Sequence, residues 1–559
     1  SGIIVVDDAD TARAVVEGGA VYACDAEGNK IRLIKVLQSA SSFTVPASVR
    51  EIAPNAFSGN LGLESVTFEA GSQLETIGNY AFSGTGITSI VIPENVTSIG
   101  TGAFSYCENL TTVDLSGFKG TALPTESFAN SRRVRNITWN ANLASIGNSA
   151  FANTALTSLD LTGTAVTTIG NSAFASCPYL ATVRLGAITS LGDYAFAAGN
   201  SASLTGVTFG EGSDELGNYT FSGQTGLATL NLPESLTSIE SLGNGVFYGC
   251  LSLSNVPFTA LKSVGDYAFY ACQSLASLNV SNVEGVGTYA FAGCENFKVS
   301  SFDQLVSIGD GAFYLCESIT EVVAPKLAII GASAFVGSGI TAITYGTAIP
   351  EEFNGSKLDG VTIGKYAFAY TGLTGENGVL TINENVTDIG DGAFSALENI
   401  SAFAIDENDT FFVSDGVLYE RNANGTYQLM AFPAAKGGEV KLLDSTARVG
   451  ASAFENATKV TKVTFPYEFK AVGDRAFFNC SATVYEFGCL TAPVLETQPL
   501  SASDFDPEDE MYAILDYSGD VSSEKYYANF SNYLALKLYA GKYGITGIKD
   551  FGPEGEGLT

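Results

Sequence analysis

The side chains capable of chemistry in this chain are its carboxylates and cysteines. The 559 residues include 59 aspartates and glutamates, nine cysteines and no histidine. Histidine is the commonest general base and metal ligand, so its absence removes the usual centre of a hydrolytic or metal site. The sequence also lacks a nucleophile–base pair, a phosphate-binding loop and a cofactor fingerprint. We therefore expect a protein that is not an enzyme and has no cofactor.

Three short segments concentrate carboxylates of the kind that calcium uses as ligands. They are Asp7, Asp8 and Asp10; Asp406, Glu407 and Asp409; and Asp506, Glu508, Asp509 and Glu510. None has the spacing of an EF-hand loop or of a calcium-binding nonapeptide repeat. We expect solvated acidic loops and no metal site, with calcium binding as the alternative.

The elements that carry these side chains follow from a repeated phrase, I-G-x-x-A-F, which returns seventeen times. Fourteen of the sixteen spacings between successive phenylalanines are 22 to 26 residues. A period in that range is typical of a solenoid, whose units bury their apolar faces against one another. Large apolar side chains at a fixed repeat position belong to the core, so we expect one internal column of rings. Its members are Phe57, Phe82, Phe104, Phe128, Phe151, Phe174, Phe196, Phe221, Phe247, Phe269, Phe291, Phe313, Phe335, Phe368, Phe394, Phe454 and Phe477.

Each unit also predicts a short strand with the spacing L-x-x-φ-x-φ, where φ is apolar. In one unit the apolar positions are Leu110, Val113 and Leu115, and the last two alternate with a polar residue. Five residues before each phenylalanine stands an aliphatic residue, and four before it stands glycine in fifteen units. A glycine this regular indicates either a positive φ or a close approach of two chains.

The cysteines follow the same repeat. Seven of the nine lie three residues after a repeat phenylalanine: Cys107, Cys177, Cys250, Cys272, Cys294, Cys316 and Cys480. Other units have Asn60 or Thr85 there, so the position takes a small turn residue and we expect buried free thiols. If a disulfide forms, we expect it between Cys480 and Cys489, which flank the last repeat. Trp139, the only tryptophan, takes the third apolar strand position and is expected in the core.

The pattern L-x-x-φ-x-φ-P-x-x-φ-x-x-I-G-x-x-A-F-x-x-C resembles the BspA-type, or Treponema pallidum-type, leucine-rich repeat. The resemblance implies a mainly-β repeat solenoid, curved and right-handed, with one face of parallel strands. Members of that family are mostly secreted or surface proteins of host-associated bacteria, and several are adhesins. The resemblance therefore implies a cell-surface or extracellular location, with any export signal or lipid anchor expected upstream of Ser1.

Three regions are predicted along the chain. Residues 1–45 read as a β-hairpin that caps the first repeat, because a turn around Glu27-Gly28 separates two strand patterns. Residues 46–480 form the solenoid of about 17 units. Residues 481–559 form a small α+β cap, with a strand at Met511–Ile514 and a helix at Ser522–Tyr543.

Two interruptions of the repeat are expected to be inserts. A hairpin near residues 403–440 has predicted strands at Leu418-Tyr419 and Tyr427–Phe432, joined by a turn at Asn422–Gly425. A longer loop lies around Glu351–Asp359. Insertions in repeat proteins map to loops and often contact partners.

The formal net charge of −32 limits the partners. Nucleic acid and anionic membranes are disfavoured because both are bound through clustered lysines and arginines. No run of eighteen apolar residues is present, so no transmembrane segment is expected. The excess of acid is consistent with keeping a long repeat array soluble.

The candidate binding surface is the polar position between the last two apolar residues of each strand. These positions are expected to align on one face at Thr67, Asp114, Thr138, Asp160, Arg184, Thr208, Asn231 and Asn279. We predict a non-enzymatic, adhesin-like recognition protein that binds an extracellular protein through this face and the inserted loops. One alternative is a glycan-binding module, which the scarcity of aromatic residues on this face disfavours. The other is a structural spacer of the cell envelope.

Overall fold

The computed structural model describes residues 13–37, 40–482, 484–489, 493–495 and 548–550. The chain divides into two compact units, Ser1–Asn279 and Val280–Thr559. Both are built from coils that contain two short strands and one turn that carries the repeat phenylalanine. We call these the first strand, the second strand and the aromatic turn. Each strand pairs in parallel with the same strand of a neighbouring coil, which confirms the predicted mainly-β parallel solenoid.

Unit 1 begins with two antiparallel pairings. Strand Arg13–Glu17 pairs with Ala20–Cys24, which pairs with Lys30–Val36, and the last of these pairs in parallel with the first repeat. The first strands of unit 1 are Ser42–Val45, Ser65–Phe68, Ser89–Val91, Thr112–Asp114, Asn136–Thr138, Ser158–Asp160, Thr182–Arg184, Gly206–Thr208 and Thr229–Asn231. The second strands are Glu51–Ile52, Thr76–Ile77, Ser98–Ile99, Ala122–Leu123, Ser145–Ile146, Thr168–Ile169, Ser190–Leu191, Ser241–Leu242 and Ser263–Val264. The one helix of the described residues is Glu234–Thr237, a single turn that begins after Pro233.

Unit 2 repeats the same coil and adds two hairpins. Its first strands are Glu321–Ala324, Ala342–Tyr345, Val379–Ile382, Ala402–Ile405, Gly438–Lys441, Val460–Phe465, Val484–Phe487 and Ile548–Asp550. Its second strands are Gly285–Val286, Ser307–Ile308, Ile329–Ile330, Val361–Ile363, Val386–Ile389, Thr446–Val449, Ala471–Val472 and Val494–Leu495. A small hairpin pairs Glu352–Phe353 with Ser356–Lys357, within the loop predicted there.

The larger insert of unit 2 has three antiparallel strands. Phe411–Ser414 pairs with Val417–Arg421, which pairs with Tyr427–Ala431. The last two lie where the sequence predicts them, whereas Phe411–Ser414 was not predicted. Strand Tyr427–Ala431 also pairs in parallel with Thr446–Val449, so the insert continues directly into the next coil. The boundaries of the three predicted regions remain predictions, and the strand and helix expected at 511–514 and 522–543 lie outside the described residues.

The repeat phenylalanines form ring columns within each unit. From Phe57 to Phe269 successive rings are stacked with centroids 4.6 to 5.9 Å apart. In unit 2 the rings from Phe291 to Phe394 are stacked at 5.4 to 5.6 Å. All the repeat phenylalanines are buried except Phe477, which is half-buried. These columns bear out the expectation that the repeat position is the core.

The aromatic turn has two residues in the left-handed region of φ. The residue two before the phenylalanine has a positive φ in all seventeen units, and the residue two after it in sixteen. Between these kinks the phenylalanine N–H donates to the carbonyl that precedes the next phenylalanine, as from Phe57 to Ala81 at 2.8 Å. The turn therefore adds a third line of coil-to-coil hydrogen bonds beside the two lines of strands.

The glycine four residues before the phenylalanine allows two coils to approach closely and does not supply a positive φ. Gly100 does not have a positive φ, but a Cβ there would lie 2.4 Å from the backbone N of Asn79. Gly192 is as close to Asn171. Contacts under about 3 Å between such atoms are forbidden sterically, so the glycine permits close approach of two coils.

The cysteines are all buried, and Cys480 is a free thiol, so the disulfide considered between Cys480 and Cys489 is not formed. Within the repeat the thiol donates to a phenylalanine carbonyl of the preceding coil, as from Cys107 Sγ to Phe82 O at 3.1 Å. Ser131 Oγ donates to Phe104 O at 2.8 Å in the same way. This shared hydrogen bond explains why serine and cysteine alternate at the position.

Trp139 departs from its prediction. Its ring packs edge-on against Phe151 with centroids 5.4 Å apart, yet the side chain is only half-buried. The indole is larger than the aliphatic residues and phenylalanines that take this position in other coils, so part of it remains at the surface.

Candidate functional site

The strand face of unit 1 is formed by the outward side chains of the first strands. Strand residues alternate between the two sides of a sheet, so the buried Val183 separates Thr182 and Arg184, both exposed. The register places Asp160, Arg184, Thr208 and Asn231 beside one another on four successive strands. This is the alignment on one face that the sequence predicts.

The closest charged contact of the strand face joins Asp160 and Arg184. Asp160 Oδ2 lies 3.5 Å from the Arg184 guanidinium, and both side chains are exposed. Asp160 Oδ1 also accepts hydrogen bonds from the hydroxyl and the N–H of Thr162, at 2.6 and 3.0 Å. These hydrogen bonds, more than Arg184, hold the pKa of the Asp160 carboxyl below its usual value. The carboxylate is thus fixed in direction while its guanidinium partner stays open to solvent.

The other predicted residues lie along the same face without forming a cluster. Asp114 pairs in register with Thr138 on one side and with Val91, an exposed apolar residue, on the other. Thr67 shares a hydroxyl–hydroxyl hydrogen bond of 3.0 Å with Thr44, a neighbour not singled out from the sequence. Asn231 donates to Thr208 Oγ1 at 3.1 Å. The face is therefore an extended and mostly polar surface.

The last predicted residue, Asn279, lies outside any regular strand of unit 1. Its amide donates to the carbonyl of Thr259 at 3.4 Å, and the local pairing is reduced to a bridge between Asn255 and Ser277. The side chain is exposed. It extends the line of outward polar residues but not the regular sheet.

A second surface of unit 1, which sequence reasoning missed, is rich in tyrosine. Tyr194 stacks on Tyr219 with centroids 5.0 Å apart, and Tyr248 stacks on Tyr270 at 4.8 Å. Tyr267 is tilted against Tyr270 at 6.0 Å. Burial, with smaller contributions from neighbouring tyrosines, raises the pKa of Tyr219. We call these five residues the tyrosine surface.

The signal for the tyrosine surface was present in the sequence. Its members stand two residues before a repeat phenylalanine, as Tyr194 and Tyr219 do, or directly after one, as Tyr248 does. Both positions belong to the aromatic turn. The strand pattern alone does not predict these tyrosines, because they lie at turn positions of the repeat.

Unit 2 contains a polar cluster formed by residues that are far apart in the sequence, such as Tyr370 and Glu455, which are 85 residues apart. The buried carboxylate of Glu455 accepts hydrogen bonds from the Tyr370 hydroxyl and the Arg475 guanidinium, the latter at 2.5 Å. Nearby, Arg448 lies 3.4 Å from Asp391. Within the described residues no group of three or more histidine, cysteine or carboxylate side chains is arranged to hold a metal ion. The cluster pairs its charges internally, as a structural contact does.

The repeat identifies the family. Six copies of a family profile described as the BspA type leucine rich repeat region match residues 36–120, 119–225, 189–298, 240–356, 360–420 and 430–491. The chain belongs to the BspA-type leucine-rich repeat family. BspA-type proteins are bacterial surface proteins that are generally not enzymes, which agrees with the broad class predicted from the sequence.

Several solved structures of BspA-like proteins are similar to this chain. A leucine-rich cell surface protein from Faecalibacterium prausnitzii is 18% identical, with 86% of this chain and 78% of that chain covered and a TM-score of 0.29. The pneumococcal vaccine antigen PcpA is 19% identical, with coverages of 69% and 77% and a TM-score of 0.26. A leucine-rich repeat protein from Bacteroides ovatus is 19% identical, with coverages of 58% and 82% and a TM-score of 0.33.

A comparison with curated proteins gives no significant match. Among the described residues, no helix has the length and apolar character needed to cross a bilayer.

Proposed function

We propose that this BspA-type chain is a non-catalytic, adhesin-like recognition protein at the cell surface or in the extracellular medium. Its partner is an extracellular protein of host or microbial origin. The observation that carries the proposal is the strand face of unit 1. Its outward side chains are mostly polar, exposed or half-buried, and in register across successive coils, with Asp160 and Arg184 at its centre.

The physical argument rests on the shape and chemistry of that face. A repeated parallel sheet offers a wide surface with side chains at regular spacing, and such surfaces bind macromolecules in repeat proteins generally. Protein interfaces contain hydrogen-bonding and charged groups around a few dominant contacts, and arginine is enriched among those contacts. Arg184 is the outward arginine of the face, and its side chain is 64% exposed. Asp114, Thr138 and Asn231 supply further hydrogen-bonding groups.

The test is capture of partners from an extracellular-matrix extract by the immobilised chain. The variant D160A/R184A removes the ion pair of the strand face without changing the net charge. The matched control is E240A/K262A, which removes an exposed ion pair of 2.9 Å away from that face. We expect the first variant to lose the captured protein and the control to retain it. Equal capture by all three chains would refute binding through the centre of the strand face. Capture of no protein at all would favour the alternative that the chain is a structural spacer of the cell envelope.

A specific observation favours glycan binding as a second candidate function. The tyrosine surface supplies the exposed aromatic side chains that the strand face lacks, and Tyr194 and Tyr248 are 44% and 36% exposed. A glycan array probed with the wild-type chain and with Y194A/Y248A distinguishes the two candidates. Glycan binding that is lost in Y194A/Y248A and kept in D160A/R184A would assign the sugar to the tyrosine surface.

A further inference from the structure

One turn of unit 1 carries an unusual concentration of positive charge. Arg132, Arg133 and Arg135 fall within four residues, in a chain with only 27 lysines and arginines against 59 acidic residues. They lie between the aromatic turn of Phe128 and the first strand Asn136–Thr138, and all three side chains are exposed. We call these three residues the arginine turn.

A second group of basic residues in the chain, by contrast, forms ion pairs and hydrogen bonds with other parts of the protein. Lys30 lies 2.8 Å from Glu17, and Arg32 lies 2.9 Å from Glu51. Lys35 donates to a backbone carbonyl at 2.7 Å. That group is therefore satisfied within the protein.

The arginine turn has no such internal partners. None of its three side chains forms an ion pair or a hydrogen bond with any described part of the chain. Like charges held this close repel one another, and no ion pair within the described part of the chain offsets the repulsion. Five N–H donors on each guanidinium remain directed to solvent.

The neighbouring coils leave the arginine turn open on one side. In the preceding coil Glu108 takes the corresponding turn position, but it makes no ion pair with the arginines. In the following coil the turn at Thr154-Ala155 is one residue shorter and contains no carboxylate. One coil further on, Tyr179 takes the position that corresponds to Arg133 and is 61% exposed. The arginines thus border a neutral gap one coil wide, with an aromatic side chain on its far side.

We infer that the arginine turn is a docking site for a short acidic segment of the partner protein. Guanidinium groups bind carboxylates in a planar, two-pronged geometry, and clusters of arginine recognise acidic motifs. Arg135 directly precedes Asn136 of the strand face, so a partner on that face has the arginine turn at its edge. In this respect the inference rests on the proposed function and names one feature of its partner.

The charge of the whole chain favours a short acidic segment over a long polyanion. Screening in physiological salt limits the attraction of exposed charges to about 8 Å, which is roughly the extent of the turn. A longer sulfated polysaccharide would also cross more of the surface of a chain whose formal net charge is −32. The repulsion from that surface opposes its binding, whereas a few consecutive carboxylates fit within the positive region.

The test measures direct binding of a labelled hexaglutamate peptide to the full chain by fluorescence anisotropy. We expect binding that weakens as sodium chloride is raised, because exposed charge pairs are screened by salt. R132A/R133A/R135A is expected to weaken the binding roughly tenfold or more, since three charge-assisted contacts are removed. The control R50A/K119A/K298A removes the same charge from three separate exposed positions and is expected to change binding by about twofold or less. Circular dichroism confirms that each variant is folded.

Several outcomes would overturn the inference. It fails if the wild-type chain does not bind hexaglutamate, or if the two triple variants weaken binding equally. It also fails if a heparin-derived oligosaccharide binds through the arginines while hexaglutamate does not, because the ligand is then a sulfated glycan. The result is independent of the matrix capture assay, since Asp160 and Arg184 are intact in every chain used here. Hexaglutamate binding without any captured matrix protein would leave the docking site standing and the proposed function unsupported.

Discussion

The phenol ring of Tyr80 occupies the space that a side chain at Gly102 would need. A Cβ at Gly102 would lie 2.3 Å from Tyr80 Cε1, and Gly102 itself has a φ of +61°. Both residues stand two before a repeat phenylalanine, in consecutive coils. The same arrangement joins Tyr219 to Gly245, with 2.1 Å between the added Cβ and the ring. The repeat therefore couples the residue choices of adjacent coils: where a tyrosine stands at this position before a glycine, it covers that glycine.

We predict that Gly102→Ala destabilises the protein by about 1–3 kcal/mol, because alanine is strained at positive φ and its methyl group displaces the Tyr80 ring. The measurement is the midpoint of chemical denaturation followed by circular dichroism. Gly163→Ala is the control, because that glycine has no positive φ and nothing within 4 Å of an added Cβ. A midpoint for Gly102→Ala equal to that of the control would contradict the steric account.

A double-mutant cycle separates the two causes. Tyr80→Ala removes the ring, so the combined variant Y80A/G102A retains the φ strain but not the collision. We expect its loss of stability to be smaller than the sum of the two single losses, because the residues are in contact. Additive losses would assign the whole effect to φ.

The ring columns show what sequence periodicity predicts well. Phenylalanine at a constant spacing identifies the core position directly, and Phe57 and Phe82 stack as expected. Phe432 was missed, although it stacks on Phe454 with centroids 4.5 Å apart and its N–H bonds to Ala453 O. It takes a column position in the inserted coil. The usual glycine is replaced there by Gln428, which lies within the strand Tyr427–Ala431.

The backbone of the aromatic turn was not predictable in the same way. A positive φ is normally inferred from glycine, yet here it falls on Asn55, Tyr80 and Ser149 at the same repeat position. The glycine that recurs in the phrase lies two residues earlier and has a different role, which is to allow close approach of two coils. Hydrogen bonds between adjacent turns hold the unfavourable conformation, and these bonds depend on the stacking of whole coils. A single repeat read alone does not contain that information.

The strand face was predicted in position but not in its contacts. Alternation along each strand places Asp160 and Arg184 outward, and this follows from the sequence. Their contact depends on the register between two coils, which a separation of 24 residues does not by itself determine because turn lengths vary. Whether these residues bind a partner remains a prediction.

We predict that Phe151→Ala destabilises unit 1 by about 3–5 kcal/mol, the range found for phenylalanine truncated in a core. Phe151 is fully buried and stacks between Phe128 and Phe174, at 5.1 and 5.4 Å. Thermal denaturation followed by circular dichroism measures the effect. Because contacts in a solenoid are only between neighbouring coils, we also expect the transition to broaden.

Tyr179→Ala serves as the control for the column, because that aromatic side chain is 61% exposed. Its expected effect is within about 0.5 kcal/mol. If the two variants denature at the same temperature, the phenylalanine column is not the main source of cohesion between coils.

We predict that Glu420→Gln stabilises the protein at pH 7 more than at pH 4. Burial, and secondarily the negative charges of Asp388 and Asp391, raise the pKa of the Glu420 carboxyl above its ordinary value of 4.5. The folded protein therefore favours the protonated carboxyl. Its stabilising contribution is complete below pH 4.5 and is lost as the pH rises through the folded-state pKa. Glutamine stays neutral throughout and avoids that loss.

The measurement for Glu420 is the thermal midpoint of both chains from pH 4 to pH 7. We expect the difference between Glu420→Gln and wild type to grow with pH. Gly163→Ala alters no ionisable group and serves as the control, because its difference from wild type is expected to stay constant with pH. A difference in thermal midpoint between Glu420→Gln and wild type that stays constant from pH 4 to pH 7 would mean that the titration of Glu420 is not coupled to folding.

We predict that the repeat thiols of the native protein are unreactive toward Ellman's reagent at pH 8. Thiolate is the reacting form, and burial raises the pKa of Cys107 to about 11. The thiol also donates to Phe82 O, so both its charge state and its access oppose attack. Unfolding in guanidinium chloride removes both obstacles, and the cysteines then react rapidly.

A Thr112→Cys variant, with the new thiol exposed on the strand face, is expected to react quickly in the native state at one equivalent. Rapid reaction of several equivalents in the native wild-type chain would show that the coils open readily. Stacking of the phenylalanine columns would then not be sufficient to keep the thiols inaccessible in solution.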